Sequence, residues 1–164
     1  MRDSLKFIFD NSALVAIVEK LKLHNEIKQL KGQIELIIPS TVFKEFCVKA
    51  SKENEEFVKT NFKILNLEPD QTLTRFLETE SGEVLVISQG MKYQANKEKY
   101  FCVIDEKAAR DVAELFELQK TGTIGVLRTM YEMKIISMDK LKTIKLILLN
   151  SDFRIKPEHL SWIK

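Results

Sequence analysis

The feature that most constrains the fold is a repeated order, in which a short apolar run precedes a longer segment with helical periodicity. Short apolar runs occur at residues 5–9, 34–38, 63–67 and 100–104. Strands that alternate with helices pair in parallel, because each helix carries the chain back across the sheet. The sequence therefore predicts an α/β fold with a central parallel sheet flanked by helices.

The predicted helices and the absence of linkers indicate one domain over residues 1–164. A long helical pattern covers residues 12–30, with a break expected near His24. Another helix is predicted to start at Pro69 and end near residue 79, and a last one covers residues 157–164. The chain has only 5 Gly and 3 Pro, and no Gly-, Ser- or Pro-rich stretch divides it. A length of 164 residues is ordinary for one domain.

Net charge, cysteine content and hydropathy limit the classes of protein to which this chain can belong. The 26 Lys+Arg and 24 Asp+Glu give a net charge of +2, which excludes a bulk electrostatic binder of nucleic acid. Cys47 and Cys102 lie among apolar neighbours, so we expect reduced, buried thiols. Asp3 and Asp10 interrupt the N-terminal segment, which is atypical of a signal peptide, and no run is long enough to span a membrane. A cytoplasmic location is expected.

Two aspartates follow predicted strands. Asp10 follows residues 5–9 and Asp105 follows residues 100–104. The carboxyl ends of parallel strands share one edge of the sheet, where ligands of open α/β sheets bind. Both aspartates also precede helices, and Asp is a favoured N-cap residue, so capping is the alternative interpretation.

Two glutamates are further candidates. Glu83 lies between Gly82 and a wholly apolar helical run, so it is expected to enter a mostly buried region; the alternative is a first-turn acid facing the helix dipole. Glu45 lies beside the apolar stripe of its helix, with Lys49 four residues later, so a surface ion pair is its alternative.

Clustering these four acids would have an electrostatic consequence. Two carboxylates about 4 Å apart repel by roughly 4 kcal/mol at an effective dielectric near 20. Four together would offset much of a typical net stability of about 5–15 kcal/mol, so such a cluster must bind cations or hold protons. All-carboxylate ligation favours Mg²⁺ or Mn²⁺ over zinc, and these ions suit phosphodiester hydrolysis.

Five fragments, in order, carry a family resemblance along nearly the whole chain. They are residues 7–14 (FIFDNSAL), 38–45 (IPSTVFKE), 81–83 (SGE), 103–113 (VIDEKAARDVA) and 121–127 (TGTIGVL). Residues 153–155 (FRI) before a short helix also fit. The chain resembles the PIN-domain nucleases, in particular their VapC-like prokaryotic branch. The resemblance implies a three-layer α/β/α fold and a metal-dependent ribonuclease.

The resemblance also implies roles for particular residues. Asp10, Glu45, Glu83 and Asp105 fall on the acidic quartet that binds Mg²⁺ or Mn²⁺ and cleaves RNA. Ser12 matches a polar residue that supports the site, and Thr123 follows Gly122 at a helix start that could meet a phosphate. Helix capping is the alternative for both Ser12 and Thr123. Many relatives have Asp where this chain has Glu83, and often Asp-Asp at Asp105-Glu106.

The remaining expectations concern the surroundings of the site and the partners. Lys107 and Arg110 are candidates to line an RNA groove, with a solvated helix face as the alternative. Asp111 is a candidate peripheral acid, although it also suits pairing with Lys107. By analogy we expect an RNA substrate, a homodimer and a small antitoxin protein. The other functional hypotheses are an inactive PIN-like module that binds RNA or protein, and a structural domain whose acids cap helices.

Overall fold

The central sheet of the computed structural model is entirely parallel in the residues it describes, which are 4–77, 81–150 and 155–164. Within these residues five strands pair in the order β3-β2-β1-β4-β5. The strands are β1 (Lys6–Phe9), β2 (Glu35–Pro39), β3 (Lys63–Leu65), β4 (Tyr100–Val103) and β5 (Lys120–Thr121). The predicted α/β class with a central parallel sheet is confirmed.

Helices cover both faces of this sheet. They are α1 (Asn11–Val15), α2 (His24–Lys31), α3 (Ser40–Cys47), α4 (Lys52–Asn61), α5 (Gly82–Ala95), α6 (Lys107–Leu115), α7 (Thr123–Glu132) and α8 (Met138–Leu149). All four residues of β1 are buried. Because successive strand residues point to opposite faces, both faces of β1 are covered. The architecture is therefore the predicted three-layer α/β/α arrangement.

The predicted break in the first helical pattern is confirmed. Helix α1 continues as a π-helical segment, Ala16–Lys20, and the chain then turns before α2 begins at His24. Lys22 has a positive φ of 51° in this turn, a conformation that cannot continue a right-handed helix. None of the helices in the described part of the chain is long and apolar enough to span a membrane.

Two predicted helices are shorter than expected. After Pro69 the chain forms only a 3₁₀ turn at Gln71–Arg75, and residues 78–80 lie outside the described residues. Thr74 Oγ1 donates to Gln71 O at 2.9 Å, a local bond that competes with the helical ladder.

The second shortened helix lies at the C-terminal end. It is also a single 3₁₀ turn, Pro157–Leu160. Leu160, the last residue of this turn, is buried, and so is Ile163 three residues later.

Helix α5 forms the buried centre of one helical layer. It packs against β1, β2 and β4. Its run Val84–Leu85–Val86–Ile87 is buried, as the apolar sequence predicted. Gly90 allows the close approach, because a Cβ at this position would lie 2.6 Å from Cys102 Sγ in β4.

The strand order creates a crevice above the carboxyl ends of β1 and β4. The chain runs from β1 outward to β2 and β3, and then returns to place β4 on the other side of β1. This reversal separates the loops that leave β1 and β4 in opposite directions, so ligands of open α/β sheets bind at that point. The residues that follow β1 and β4 are therefore the first place to look for chemistry.

Candidate functional site

Asp10 lies at the base of this crevice. Its backbone N–H donates to Val103 O at 3.1 Å, which fixes it where β1 and β4 end together. Only 3% of Asp10 is exposed. Burial raises the pKa of its carboxyl to about 7, the N–H of Asn11 lowers it, and the charges of Glu83, Glu106 and Glu45 raise it further. The side chain makes no capping bond to α1, so the capping alternative does not explain this residue.

Glu45 approaches Asp10 across Gly82. A Cβ on Gly82 would lie 3.1 Å from Glu45 Oε1 and 3.5 Å from Asp10 Oδ1, so the two carboxylates flank one point. Desolvation raises the pKa of Glu45, the Gly82 N–H lowers it, and the charge of Glu106 raises it. Glycine at this helix start leaves the space that the two acids share.

Glu83 enters from the first turn of α5. Ser81 caps this helix by accepting from the Val84 N–H at 3.4 Å, which sets where the helix starts. Glu83 is half-buried, and its charge is the first of the three acidic neighbours that raise the pKa of Asp10. Two of the predicted acids, Glu83 and Glu45, therefore act on a third, Asp10, from two separate helices.

Asp105 is placed differently from the other three. Its Oδ1 accepts from the Thr123 N–H at 2.8 Å, and its Oδ2 accepts from Thr123 Oγ1 at 2.6 Å. Asp105 thus caps α7, rather than the helix that directly follows it in sequence. Thr123, predicted as a site residue or a cap, is buried and holds Asp105.

Glu106 is the site residue that the sequence did not single out. Its charge raises the pKa of both Asp10 and Glu45. Ser12 Oγ donates to Glu106 Oε1 at 3.2 Å, which ties it to the helix that starts beside Asp10. The available signal was the Asp105-Glu106 pair itself, which places two acids in succession after β4.

Comparison with known proteins agrees with this fold. A family model described as a PIN domain matches residues 6–164, which is almost the whole chain. The chain belongs to the PIN-domain family. No curated protein sequence matches it. PIN domains are generally nucleases that use divalent metal ions, so membership supports a hydrolase of phosphodiester bonds.

A groove of about 1740 Å³ in this PIN domain is lined by three of the site acids, Glu45, Asp105 and Glu106. Its lining includes Ser12, Glu45, Asp105, Glu106, Lys107, Arg110 and Asp111, together with Lys20, Lys49 and Lys120. Lys20 and Lys120 were not predicted as site residues, because isolated lysines carry no sequence signal, and Lys49 was named only as the alternative ion-pair partner of Glu45. The groove therefore combines an acidic centre with basic side chains on its walls.

The two predicted RNA-binding residues of the PIN domain differ in the contacts that their side chains already make. Lys107 Nζ donates to Asp111 at 2.7 Å, which is the pairing that the sequence suggested for Asp111, and the lysine side chain is 88% exposed. Arg110 Nη1 donates to Ile104 O at 2.9 Å, so part of its guanidinium holds the turn after β4. Both residues still line the groove.

The donors of this PIN domain suit a hard divalent cation, because they are all carboxylates and Asp10 is deeply buried. Among the described residues, however, no group of three or more His, Cys, Asp or Glu side chains lies close enough to hold a metal ion. The charges of Glu83, Glu106 and Glu45 raise the pKa of Asp10, but these acids do not form a tight cluster in the described part of the chain.

Proposed function

We propose that this PIN domain is a Mg²⁺- or Mn²⁺-dependent endoribonuclease. The observation that carries the proposal is the buried Asp10 at the carboxyl end of β1, with Glu45 beside it across Gly82 and with the charges of Glu45 and Glu83 acting on it from α3 and α5. Such an arrangement penalises the ionised form of Asp10 unless a cation compensates it. Family membership supports the class of reaction.

The chain's own residues would divide the work. Asp10, Glu45, Glu83 and an acid from the segment after β4 would hold the cation. A bound divalent ion lowers the pKa of a water and neutralises charge that develops on the phosphate. Ser12 orients an acid beside Asp10. The groove walls would hold RNA, with Lys107 and Arg110 facing phosphates.

We extend the proposal to the VapC-like branch, on the order and spacing of the fragments described above. It includes a toxin role with a small antitoxin partner, a homodimer and a cytoplasmic location. Co-expression with a protein encoded next to this chain, followed by size-exclusion chromatography with light scattering, tests both partners. A monomer that binds no neighbour would contradict this extension but not the nuclease.

A catalytically weak or inactive PIN module is the second candidate. Two observations favour it. No described trio of acids is close enough to hold a metal ion, and Glu83 stands where many relatives have the shorter Asp. On this alternative, the groove binds RNA or a protein without cutting.

One experiment separates the two candidates. Mixed single-stranded RNA is incubated with the wild type and with Asp10→Asn, in Mn²⁺ or in EDTA. We expect fragments only for the wild type in Mn²⁺. RNA binding without fragments in Mn²⁺ would favour the inactive module, and equal cutting by the variant would refute the assigned site.

A further inference from the structure

One face of helix α7 leads out of the groove. Ile124, in the first turn of the helix, lines the groove. Arg128 and Tyr131 follow it at helical spacing and are exposed, whereas the neighbouring Leu127 and Met130 are buried. Residues four and seven positions apart share one side of a helix, so Arg128 and Tyr131 continue the face that starts at Ile124. Seven residues carry this face about 10 Å along the helix axis.

The C-terminal segment also leads from the groove to this face. Ile155 and His159 line the groove, and Trp162 follows His159 by three residues, just after the 3₁₀ turn. The ring centroid of Trp162 lies 6.3 Å from that of Tyr131 and 5.8 Å from Arg128 Cζ. Two separate parts of the chain that both contribute to the groove lining therefore meet in a cluster of two aromatic rings and one guanidinium.

This cluster is accessible to solvent. Tyr131 is 39% exposed, the Arg128 side chain is 61% exposed, and Trp162 is half-buried. Glu132 lies 3.3 Å from Arg128 Nε, which restricts the guanidinium beside the tryptophan ring. The next residue, Ile163, is buried and anchors the segment in the core. Anchoring of the C-terminal segment therefore does not account for the exposed aromatic and guanidinium surface.

Aromatic rings and Arg guanidinium groups are the surfaces on which bases of single-stranded nucleic acid stack. Resting on the ribonuclease function proposed above, we infer that Trp162, Tyr131 and Arg128 form a stacking platform, which binds a base of single-stranded RNA where the strand leaves the groove. Stacking supplies affinity that does not depend on charge, which suits a chain with a net charge of only +2.

Fluorescence tests the platform directly, because Trp162 is the only tryptophan in the chain. The wild type in EDTA is titrated with a single-stranded oligoadenylate of about 12 nucleotides, a length within the usual site sizes of single-strand binders. Anisotropy of the same RNA, carrying a label, measures total binding. We expect saturable quenching of the tryptophan with the same Kd as the anisotropy. An abasic oligonucleotide of equal length, which has phosphates but no bases, should cause no quenching.

Substitutions separate stacking from charge. Tyr131→Leu and Trp162→Leu remove a ring, and should each raise the RNA Kd by about tenfold with an unchanged salt slope, because stacking releases no counterions. Trp162→Phe keeps an aromatic plane and should stay within about threefold of the wild type.

Phe76→Leu is the matched control. Phe76 is 49% exposed and packs edge-on against Phe116, but it does not line the groove in the described part of the chain. Its substitution should leave the Kd unchanged, and an effect equal to that of Tyr131→Leu would contradict the platform. Melting temperatures of all variants are measured alongside, and the fluorescence of the wild type tests the platform even if Trp162→Leu fails to fold.

The outcomes separate this inference from the proposed function. RNA binding by the wild type without tryptophan quenching, or RNA cutting without measurable binding in EDTA, would overturn the platform and leave the nuclease standing. A dimer that forms without RNA, quenches Trp162 and is dissociated by Tyr131→Leu would assign the cluster to a second copy of the chain instead. A wild type that neither binds nor cuts RNA would refute both the platform and the proposed function.

Discussion

Replacing Asp10 with Asn should make the metal-free protein more stable while removing its proposed activity. The pKa of Asp10 rises from 3.8 to about 7 on folding, chiefly through burial. Between these values the folded protein holds a proton that the unfolded chain has released. The free energy of unfolding therefore falls as pH rises across this window, by about 1.4 kcal/mol per pH unit. Below pH 3.8 the carboxyl is protonated in both the folded and the unfolded state, so none of this stability has been lost.

The size of the effect follows from that shift. Over the whole window the ionised carboxylate costs about 4 kcal/mol. An amide accepts more weakly from the Asn11 N–H, which removes about 1 kcal/mol of the gain. We expect Asp10→Asn to stabilise the protein by about 2–3 kcal/mol at pH 8 and to have almost no stabilising effect near pH 4.

Urea denaturation in EDTA, at several pH values, measures this difference. Asp111→Asn is the control, because it removes an exposed acid that is paired on the surface, and should change stability by less than about 1 kcal/mol. Mn²⁺ at a hundred times its Kd should add about 2.7 kcal/mol to the wild type and little to Asp10→Asn. A variant that is less stable than the wild type at pH 8, or a difference that does not depend on pH, would refute the reasoning.

Three more predictions follow from the packing and the groove. Gly82→Ala would place a Cβ 2.7 Å from Val42 Cγ2. We expect it to lower the free energy of unfolding by about 1–3 kcal/mol in urea denaturation and to weaken Mn²⁺ binding in calorimetry; unchanged values would contradict the close approach. Gly90→Ala would place a Cβ 2.6 Å from Cys102 Sγ, and should lower stability by about 1–3 kcal/mol in the same assay with Mn²⁺ binding retained. Lys107→Ala should weaken RNA binding similarly for all sequences and reduce the salt slope by about 1, measured by fluorescence anisotropy in EDTA; an unchanged slope would show that Lys107 meets no phosphate.

The sheet could be predicted from the sequence because its strands are buried on both faces. Runs such as residues 34–38 and 100–104 are almost wholly apolar, and only strands covered by helices on both sides read in this way. The segment after Pro69 could not be predicted as well. Its helical pattern is opposed by side-chain bonds from Asp70 and Thr74, which stabilise a short turn instead.

The site includes contacts that could not be predicted from the sequence, for a different reason. Strand ends alone brought Asp10 and Asp105 to one edge of the sheet, and that placement is correct. The carboxylate of Asp105, however, is held by Thr123, which lies 18 residues later in the sequence. Local patterns contain no information about that contact, because it depends on where the start of α7 lies in three dimensions.

The central position of β1 also determines when the site can exist during synthesis. Strand β1 is made first, but its partner β4 is encoded more than 90 residues later, and Asp10 is fixed by a bond to the last residue of that strand. A nascent chain that has not yet exposed β4 to solvent outside the ribosome therefore has no crevice and no convergence of acids. For a protein proposed to cut RNA, the topology postpones activity until most of the chain has left the ribosome.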